Sequence, residues 1–317
     1  MSSQLSFHNK ASLPPQEIID LFKRTFNDEL YADEQSLEDL HKQIQQVKSH
    51  LYDREYITAF DDDLKRTAYC CRWSPSRAIS YASLFAEFPE VADIIKCASG
   101  ENKSVLCVGG GAGAELAAIS SIFAPSRTFD SKYKTGTDDS KSKKTTLNVQ
   151  LVDISDWSNV VTRLSNEIKS YWLYNNEHEY FNLKFTNCDI LNTDQKDLKL
   201  PQLNLITSLF TTSELFMEQK AESIRFFQKL NKFCSTGCLL LIVESAGSYS
   251  HITVGSKKFP IQFLIDTILV GQRGHEQDGQ WELLKQNDSI WYRTNNQLDY
   301  PIKLENMRFF YRLYRKK

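Results

Sequence analysis

Val105-Leu-Cys-Val-Gly-Gly-Gly-Ala-Gly-Ala-Glu115 decides the fold. An apolar run ends in a glycine-rich turn, and a helix-forming stretch follows at once. Gly109, Gly111 and Gly113 let the backbone take positive φ and come close to a ligand. The helix behind them turns unpaired N–H groups toward whatever lies over the turn. Strand, turn and helix in that order open a parallel α/β sheet.

The pattern continues downstream. Ser104–Val108, Val149–Ile154, Leu183–Cys188, Leu203–Leu209 and Leu239–Glu244 read as strands. Ala114–Phe123, Trp157–Trp172, Met217–Phe233 and Phe259–Val270 read as helices between or after them. Strands alternating with crossover helices predict a mainly parallel sheet covered on both faces. Runs around Ser289–Tyr292 and Met307–Leu313 have no helix between them and predict an antiparallel closing hairpin. The expected fold is therefore α/β, a Rossmann-like, mostly parallel sheet of seven strands.

Upstream, residues 14 to about 98 read as a helical subdomain, with residues 1–13 as a disordered tail. Pro14 and Pro15 open the first helix. Leu37, Leu40, Ile44, Val47 and Leu51 form an apolar seam on a second. Arg54–Leu64 reads as a third. Ser74 and Pro75 fit the N-cap and first position of a fourth. Residues 99–317 form the main domain. It is interrupted at 125–147 by a polar, aperiodic insertion that reads as a solvated, flexible loop.

Composition narrows the function. Lys plus Arg is 38 and Asp plus Glu is 40, a net charge of −2, so no cationic field covers the whole surface. No apolar run approaches a membrane span, and the N-terminus carries no secretion signal. The seven cysteines have no Cys-x-x-Cys pair. They read as reduced and intracellular, with no metal site. Cys107 and Cys188 read as small core residues within strands.

Two cofactor classes fit the turn. Gly109, Gly111 and Ala114 satisfy the dinucleotide fingerprint. Gly109, Gly111 and Gly113 also fit the G-x-G-x-G loop of S-adenosylmethionine enzymes. Asp153, with Ile154 beside it, ends the second strand, where a carboxylate can take both ribose hydroxyls. Asp189 and Ile190 end the third, where an acid and an apolar residue suit adenine. S-adenosyl-L-methionine is the better fit, because the closing antiparallel hairpin matches the methyltransferase plan. Each acid has a plainer reading as a helix or turn cap.

Several segments resemble the class I methyltransferases, and more narrowly the fungal 25S ribosomal RNA uracil-N3 methyltransferase family. They are Arg72-Trp-Ser-Pro-Ser-Arg-Ala78, Val108–Glu115, Leu151-Val-Asp-Ile-Ser-Asp-Trp157, Leu209-Phe-Thr-Thr-Ser-Glu-Leu215, Glu244–Ser250 and Leu304-Glu-Asn-Met-Arg-Phe309. The resemblance implies methylation of an rRNA base, with ribosomal RNA or a pre-ribosomal particle as partner, in the nucleus, nucleolus or cytoplasm. The chain departs from class I pattern at Cys107, where an acid is common. Glu115 or carbonyls must then receive the cofactor's amino group. No Asn/Asp-Pro-Pro-Tyr/Phe follows the fourth strand, which disfavours exocyclic amines and leaves a ring nitrogen as acceptor. A methyltransferase acting on protein or a small molecule, and a scaffold without catalysis, remain as alternatives.

The loop after the fourth strand is the expected catalytic segment. Glu214 is the expected acceptor for the N3 proton, with Thr211, Thr212 or Ser213 as carbonyl donors and Phe210 as a stacking partner. The plainer reading makes Ser213 and Glu214 helix caps. Arg72 and Arg77 read as clamps for the cofactor carboxylate or an RNA phosphate, or as ties to the sheet. Arg308, Arg312, Arg315, Lys316 and Lys317, with the insertion, are the expected local positive charge for RNA. Tyr249, Trp281, Trp291 and Tyr292 are stacking candidates or core.

Overall fold

The computed structural model describes residues 3–127, 144–247, 250–254, 257–272 and 274–317. Its main sheet contains β1 (Ser3–Gln4), β2 (Lys103–Val108), β3 (Leu147–Asp153), β4 (Phe181–Asn187), β5 (Leu205–Leu209), β6 (Leu239–Ser245), β9 (Trp281–Tyr292) and β10 (Met307–Lys316). A separate hairpin pairs β7 (His251–Val254) with β8 (Lys257–Pro260). The main sheet runs β4-β3-β2-β5-β6-β10-β9-β1. Strands β2 to β6 are parallel, and β10 is antiparallel to both β6 and β9.

The parallel strands are apolar because both faces are covered. Val105 and Cys107 face one layer, and Leu106 and Val108 face the other. The first layer holds α1 (Pro15–Thr25), α2 (Asn27–Tyr31), α3 (Glu34–Tyr52), α5 (Asp63–Glu87), α6 (Pro89–Ile95), α7 (Ala114–Phe123) and α8 (Ser158–Tyr171). The second holds α9 (Thr212–Glu218), α10 (Lys220–Phe233) and α11 (Ile261–Leu269). A one-turn helix, α4 (Tyr56–Ala59), lies between α3 and α5.

Several expectations are corrected. The sheet has eight strands, because β1 adds an edge beside β9. Residues 3–13 are therefore not a free tail: Leu5 is buried, and the Tyr292 hydroxyl donates to the Phe7 carbonyl at 3.0 Å. The helices before residue 98 share one continuous core with the sheet, so they form a layer of it rather than a body of their own. The expected helix at 54–64 shrinks to α4 and the start of α5. The expected helix at 217–233 breaks at Gln219 into α9 and α10, and the β7–β8 hairpin has no counterpart among the expected elements. Residues 128–143 of the expected insertion lie outside the described residues. Arg127, at its start, is buried with its guanidinium over the Phe123 ring at 3.9 Å.

Pro75 does not start a helix but sits inside α5. A proline there has no N–H for the carbonyl four residues back. That carbonyl, of Cys71, instead accepts the Tyr300 hydroxyl at 2.7 Å. A donor 229 residues away thus fills the gap.

Because Leu5 is packed under the sheet edge, Leu5→Ala is expected to cost about 2–3 kcal/mol, as truncation of a buried leucine does. The urea midpoint reads this directly. No shift in that midpoint would show that the N-terminal strand adds nothing to stability.

Candidate active site

The strand tips carry the site. Gly109 has φ 71° and Gly113 has φ 80°, in the left-handed region that favours glycine. A Cβ on Gly109 would strike Thr211, and one on Gly113 would strike Leu164. On Gly111 it would lie 2.8 Å from Asp153 Oδ2 and run into Trp157. The turn between β2 and α7 is thus pressed against β3, α8 and the loop after β5.

Asp153 fixes this arrangement. Its Oδ2 accepts the Gly111 N–H at 3.1 Å, and its Oδ1 accepts the Ser155 N–H at 3.1 Å. It does not cap α8; Asp156 takes the Ser158 N–H instead. Burial pushes the Asp153 carboxyl up to about 6, against the amide hydrogen bonds that hold it down. Each carboxylate oxygen keeps a lone pair for a further donor.

Two cavities meet at these tips. One, of about 170 Å³, is lined by Gly109, Asp153, Ile154, Trp157, Cys188, Asp189, Ile190 and Phe210, under Ile57 and Phe60. The structure therefore brings together the expected Gly109, Asp153, Ile154, Asp189, Ile190 and Phe210. Gly111 and Gly113 support it from behind. Asp189 also closes its own turn, accepting the Leu191 N–H at 2.9 Å and the Asn192 Nδ2–H at 2.6 Å. Cys188 is corrected: it lies past the end of β4, in the cavity wall.

The second cavity, of about 430 Å³, lies beside it, lined by residues including Lys48, Tyr52, Trp73, Ser213, Glu214 and Glu244. Tyr56, Tyr69, Arg77, Phe210 and Glu214 line both. Phe210 has φ 58°, a costly backbone for a bulky residue, and its ring lies 6.3 Å from that of Tyr81. The Arg77 guanidinium sits 5.0 Å from the Phe210 ring centre and bonds the Tyr69 hydroxyl.

The catalytic segment is only partly as expected. Thr212 is buried and faces the core, with its hydroxyl 2.7 Å from that of Ser208. That is a correction: it has no access to either cavity. Thr211 lines the first cavity and Ser213 the second. Glu214 makes no capping bond at the start of α9. Glu244, at the tip of β6, takes the Ser213 N–H at 2.9 Å and does that work from a neighbouring strand. Sequence reasoning gives Glu244 no role. The signal is there all the same, an acid ending the otherwise apolar run Cys238–Val243. Burial pushes Glu214 up to about 8, with Glu244 repulsion adding to it, and burial pushes Glu244 up to about 7.

Other expected residues have structural partners. Arg72 donates to the Lys303 carbonyl at 2.9 Å and pairs with Glu305, tying α5 to the segment before β10. The Ser76 hydroxyl accepts the Glu305 N–H at 3.0 Å, and the Ser74 hydroxyl donates to the Ala112 carbonyl at 2.7 Å. Glu115 is not in the cavity wall; it is buried, accepts from the Thr207 hydroxyl at 2.5 Å, and is pushed up to about 8 by burial. The C-terminal basic run is only partly open: Arg308, Arg315 and Lys317 are exposed, and Lys316 is buried. Arg312 is buried against Asp266 and Asp288, and Arg315 pairs with Glu282. Trp281 and Tyr292 are core, and Tyr249 lies outside the described residues. Among the described residues, no cluster of His, Cys, Asp and Glu could hold a metal, and no helix is long and apolar enough to cross a membrane.

Residues 22–315 match the family described as "Putative SAM-dependent methyltransferase". The chain belongs to this family. It is 60% identical over 98% of its length to a Saccharomyces cerevisiae protein, 25S rRNA (uridine(2843)-N(3))-methyltransferase, covering 88% of it. Among solved structures, it is similar to the N-methyltransferase NodS of Bradyrhizobium japonicum in complex with S-adenosyl-L-homocysteine. That match has 12% identity and TM-score 0.38, over 73% of this chain and 87% of the other. An O-methyltransferase family protein of Burkholderia thailandensis matches at 10% identity and TM-score 0.41, over 87% and 71%.

The first cavity fits the family's cofactor on its own chemistry. A half-buried carboxylate with spare lone pairs faces it from the tip of β3, beside the apolar Ile154 and Ile190.

Two outcomes follow. Gly111→Ala is expected to abolish S-adenosylhomocysteine binding in calorimetry, because the new methyl displaces Asp153 and Trp157; wild-type affinity would contradict this packing. The raised carboxyls also set a pH dependence. Asp153, Glu244, Glu214 and Glu115 all have folded values above their ordinary ones, so the fold favours their neutral forms. Their stabilising contribution is full below about pH 4 and is lost as pH rises through about 6, 7 and 8. The melting temperature of the ligand-free protein should fall across that window, and Glu214→Gln should flatten the upper half. An equally steep fall in the variant would mean that Glu214 is not the group titrating.

Proposed function

We propose that this chain transfers a methyl group from S-adenosylmethionine to N3 of a uridine in large-subunit ribosomal RNA. The observation that carries the reading is the shared wall: Phe210, Arg77, Tyr69 and Glu214 border both the cofactor cavity and the larger cavity beside it. Two reactants seated on either side of one wall need only a small opening between them. The 60% identity to the yeast enzyme supports rRNA uridine as the substrate.

When bound, S-adenosylmethionine supplies an electrophilic methyl on a sulfonium. The residues placed to hold it are Asp153 for the ribose and Ile154, Asp189 and Ile190 for the adenine, with the turn at Gly109–Gly113 behind. The target base has to leave its stack and enter the second cavity. There Trp73, Tyr69 and Phe210 offer aromatic faces, and Lys48 and Tyr52 stand at the mouth. Uracil N3 carries a proton that must be removed before the nitrogen can act as nucleophile. Glu214, facing both cavities, takes that proton, and Ser213 and Arg77 donate toward the flanking carbonyls. Arg77 also keeps positive charge beside the developing imidate. Water is kept out by Phe60, Ile57 and Trp157. The substrate is RNA in its ribosomal or pre-ribosomal setting, within the cell.

The test is transfer of labelled methyl to 25S rRNA lacking the modification, with 3-methyluridine read by nucleoside mass spectrometry. Label in protein, or in another nucleoside, overturns the substrate. Glu214→Gln should lower the single-turnover rate about 100-fold with S-adenosylhomocysteine affinity unchanged.

A further inference from the structure

We propose that Glu214 and Glu244 act as one unit holding a single proton, and that this unit reads the imide edge of the target base. One carboxyl accepts from N3–H while its protonated partner donates to a flanking carbonyl. The inference rests on the base-methylation reading above and adds a residue and a basis for selectivity to it.

The geometry is that of two acids on one cavity wall. Glu214 reaches it from α9 and Glu244 from the tip of β6. Among the described residues, no hydrogen bond reaches the Glu214 carboxyl. Glu244 takes the Ser213 amide on Oε1 and lines the same cavity. Glu244 is itself buried, so it cannot disperse its charge into solvent. The charged and titratable groups facing Glu214 are Arg77 and Tyr69 from α5, Glu244, Asp153 from β3, and Glu218 of its own helix; Lys48 and Tyr52 of α3, Tyr56 of α4 and the Arg72–Glu305 pair line the same cavity. Those facing Glu244 are Arg77 and Tyr81, together with Glu214. One guanidinium thus stands near two carboxyls, and it compensates only one negative charge. Two carboxyls on one wall, Glu244 buried and Glu214 half-buried, resist carrying two negative charges beside the single guanidinium of Arg77, and a shared proton relieves that repulsion. The upward displacement of both carboxyls agrees with this.

A half-protonated pair offers one acceptor and one donor. Arg77 adds a second donor. Uracil presents carbonyl, N–H, carbonyl along its imide edge, which is the complement. Cytosine presents a bare N3 and an amino group, so it would face a carboxylate with nothing to donate and a donor with nothing to accept. A site built on such bonds rejects the mismatched analogue strongly. In the reaction, the N3–H bond breaks and an O–H bond forms, so the pair passes from one proton to two. The N–C bond then forms as the S–C bond breaks, and the methyl donor leaves as a neutral thioether. The extra proton returns to solvent after product release.

Glutamine at either position imitates the permanently protonated acid, and Glu244→Gln keeps a side-chain carbonyl for the Ser213 amide. The experiment compares pH–rate profiles for 3-methyluridine formation on unmodified 25S rRNA. Wild type, Glu244→Gln, Glu214→Gln and the double variant are each checked for S-adenosylhomocysteine binding. Wild type should show an acid limb. Glu244→Gln removes the neighbour that crowds Glu214, so the limb should move down by about one pH unit. The double variant, with no acceptor left, should fall at least tenfold below Glu214→Gln alone and show no acid limb. A Glu244→Gln profile that overlays wild type overturns the pair and leaves Glu244 as a helix cap. Should that variant fail to fold, Glu214→Gln carries the same test, because its residual limb must also move down. Absence of 3-methyluridine with wild type overturns the substrate reading and this inference with it. Its presence with an unmoved limb overturns the pair alone.

Discussion

One carboxylate holds the strand tips together. Asp153 takes an amide hydrogen from the glycine turn after β2 and another from the turn after its own strand. That double acceptance draws two loops to within a hydrogen bond of each other, and only glycine fits at 111 once they are there. Trp157 closes over the same spot. The smaller of the two cavities is what remains above this junction. The junction costs something, since a carboxyl in a low-dielectric site resists ionisation. The amide bonds offset much of that cost, and a ribose would add to them.

The parallel strands were legible because doubly covered strands read as apolar runs, and glycine at 109, 111 and 113 marks the turn. Asp153 and Asp189 were legible as strand-end acids because they close those runs, and they line one cavity. What was not legible depended on distance along the chain. Pro75 looks like a helix start, and only Tyr300 explains why the helix passes through it. Thr212 and Ser213 are neighbours of one polar type, and which of them faces the cavity depends on the backbone turn at Phe210. The basic tail looks like an RNA patch, but Asp266, Asp288 and Glu282 arrive from other elements and pair with Arg312 and Arg315. Glu244 was hidden by its company, since a strand-end acid announces no chemistry until its neighbours are known.

Two of the segments that carry the family resemblance touch. Arg72 and Ser76 of the Arg72–Ala78 segment bind Glu305 and the Lys303 carbonyl, and Ser74 reaches back to the glycine turn. The α5 helix is therefore a strut between the cofactor turn and the C-terminal hairpin. Arg77, one residue after Ser76, is left free of that strut work and faces the two cavities. Bracing on one side of the helix leaves precise placement of the other side to rigid backbone rather than to loops.

The borrowed hydroxyl at Cys71 has a consequence for how the molecule is made. A ribosome releases the first hundred residues long before it releases Tyr300, so α5 emerges with a gap in its ladder and no donor to fill it. The opening strand is in the same position, since its partner β9 comes near the end of the chain. Contacts of such long sequence separation form late and slow the search for the native state. The nascent chain stays unsealed at both seams until Tyr300 and β9 have emerged.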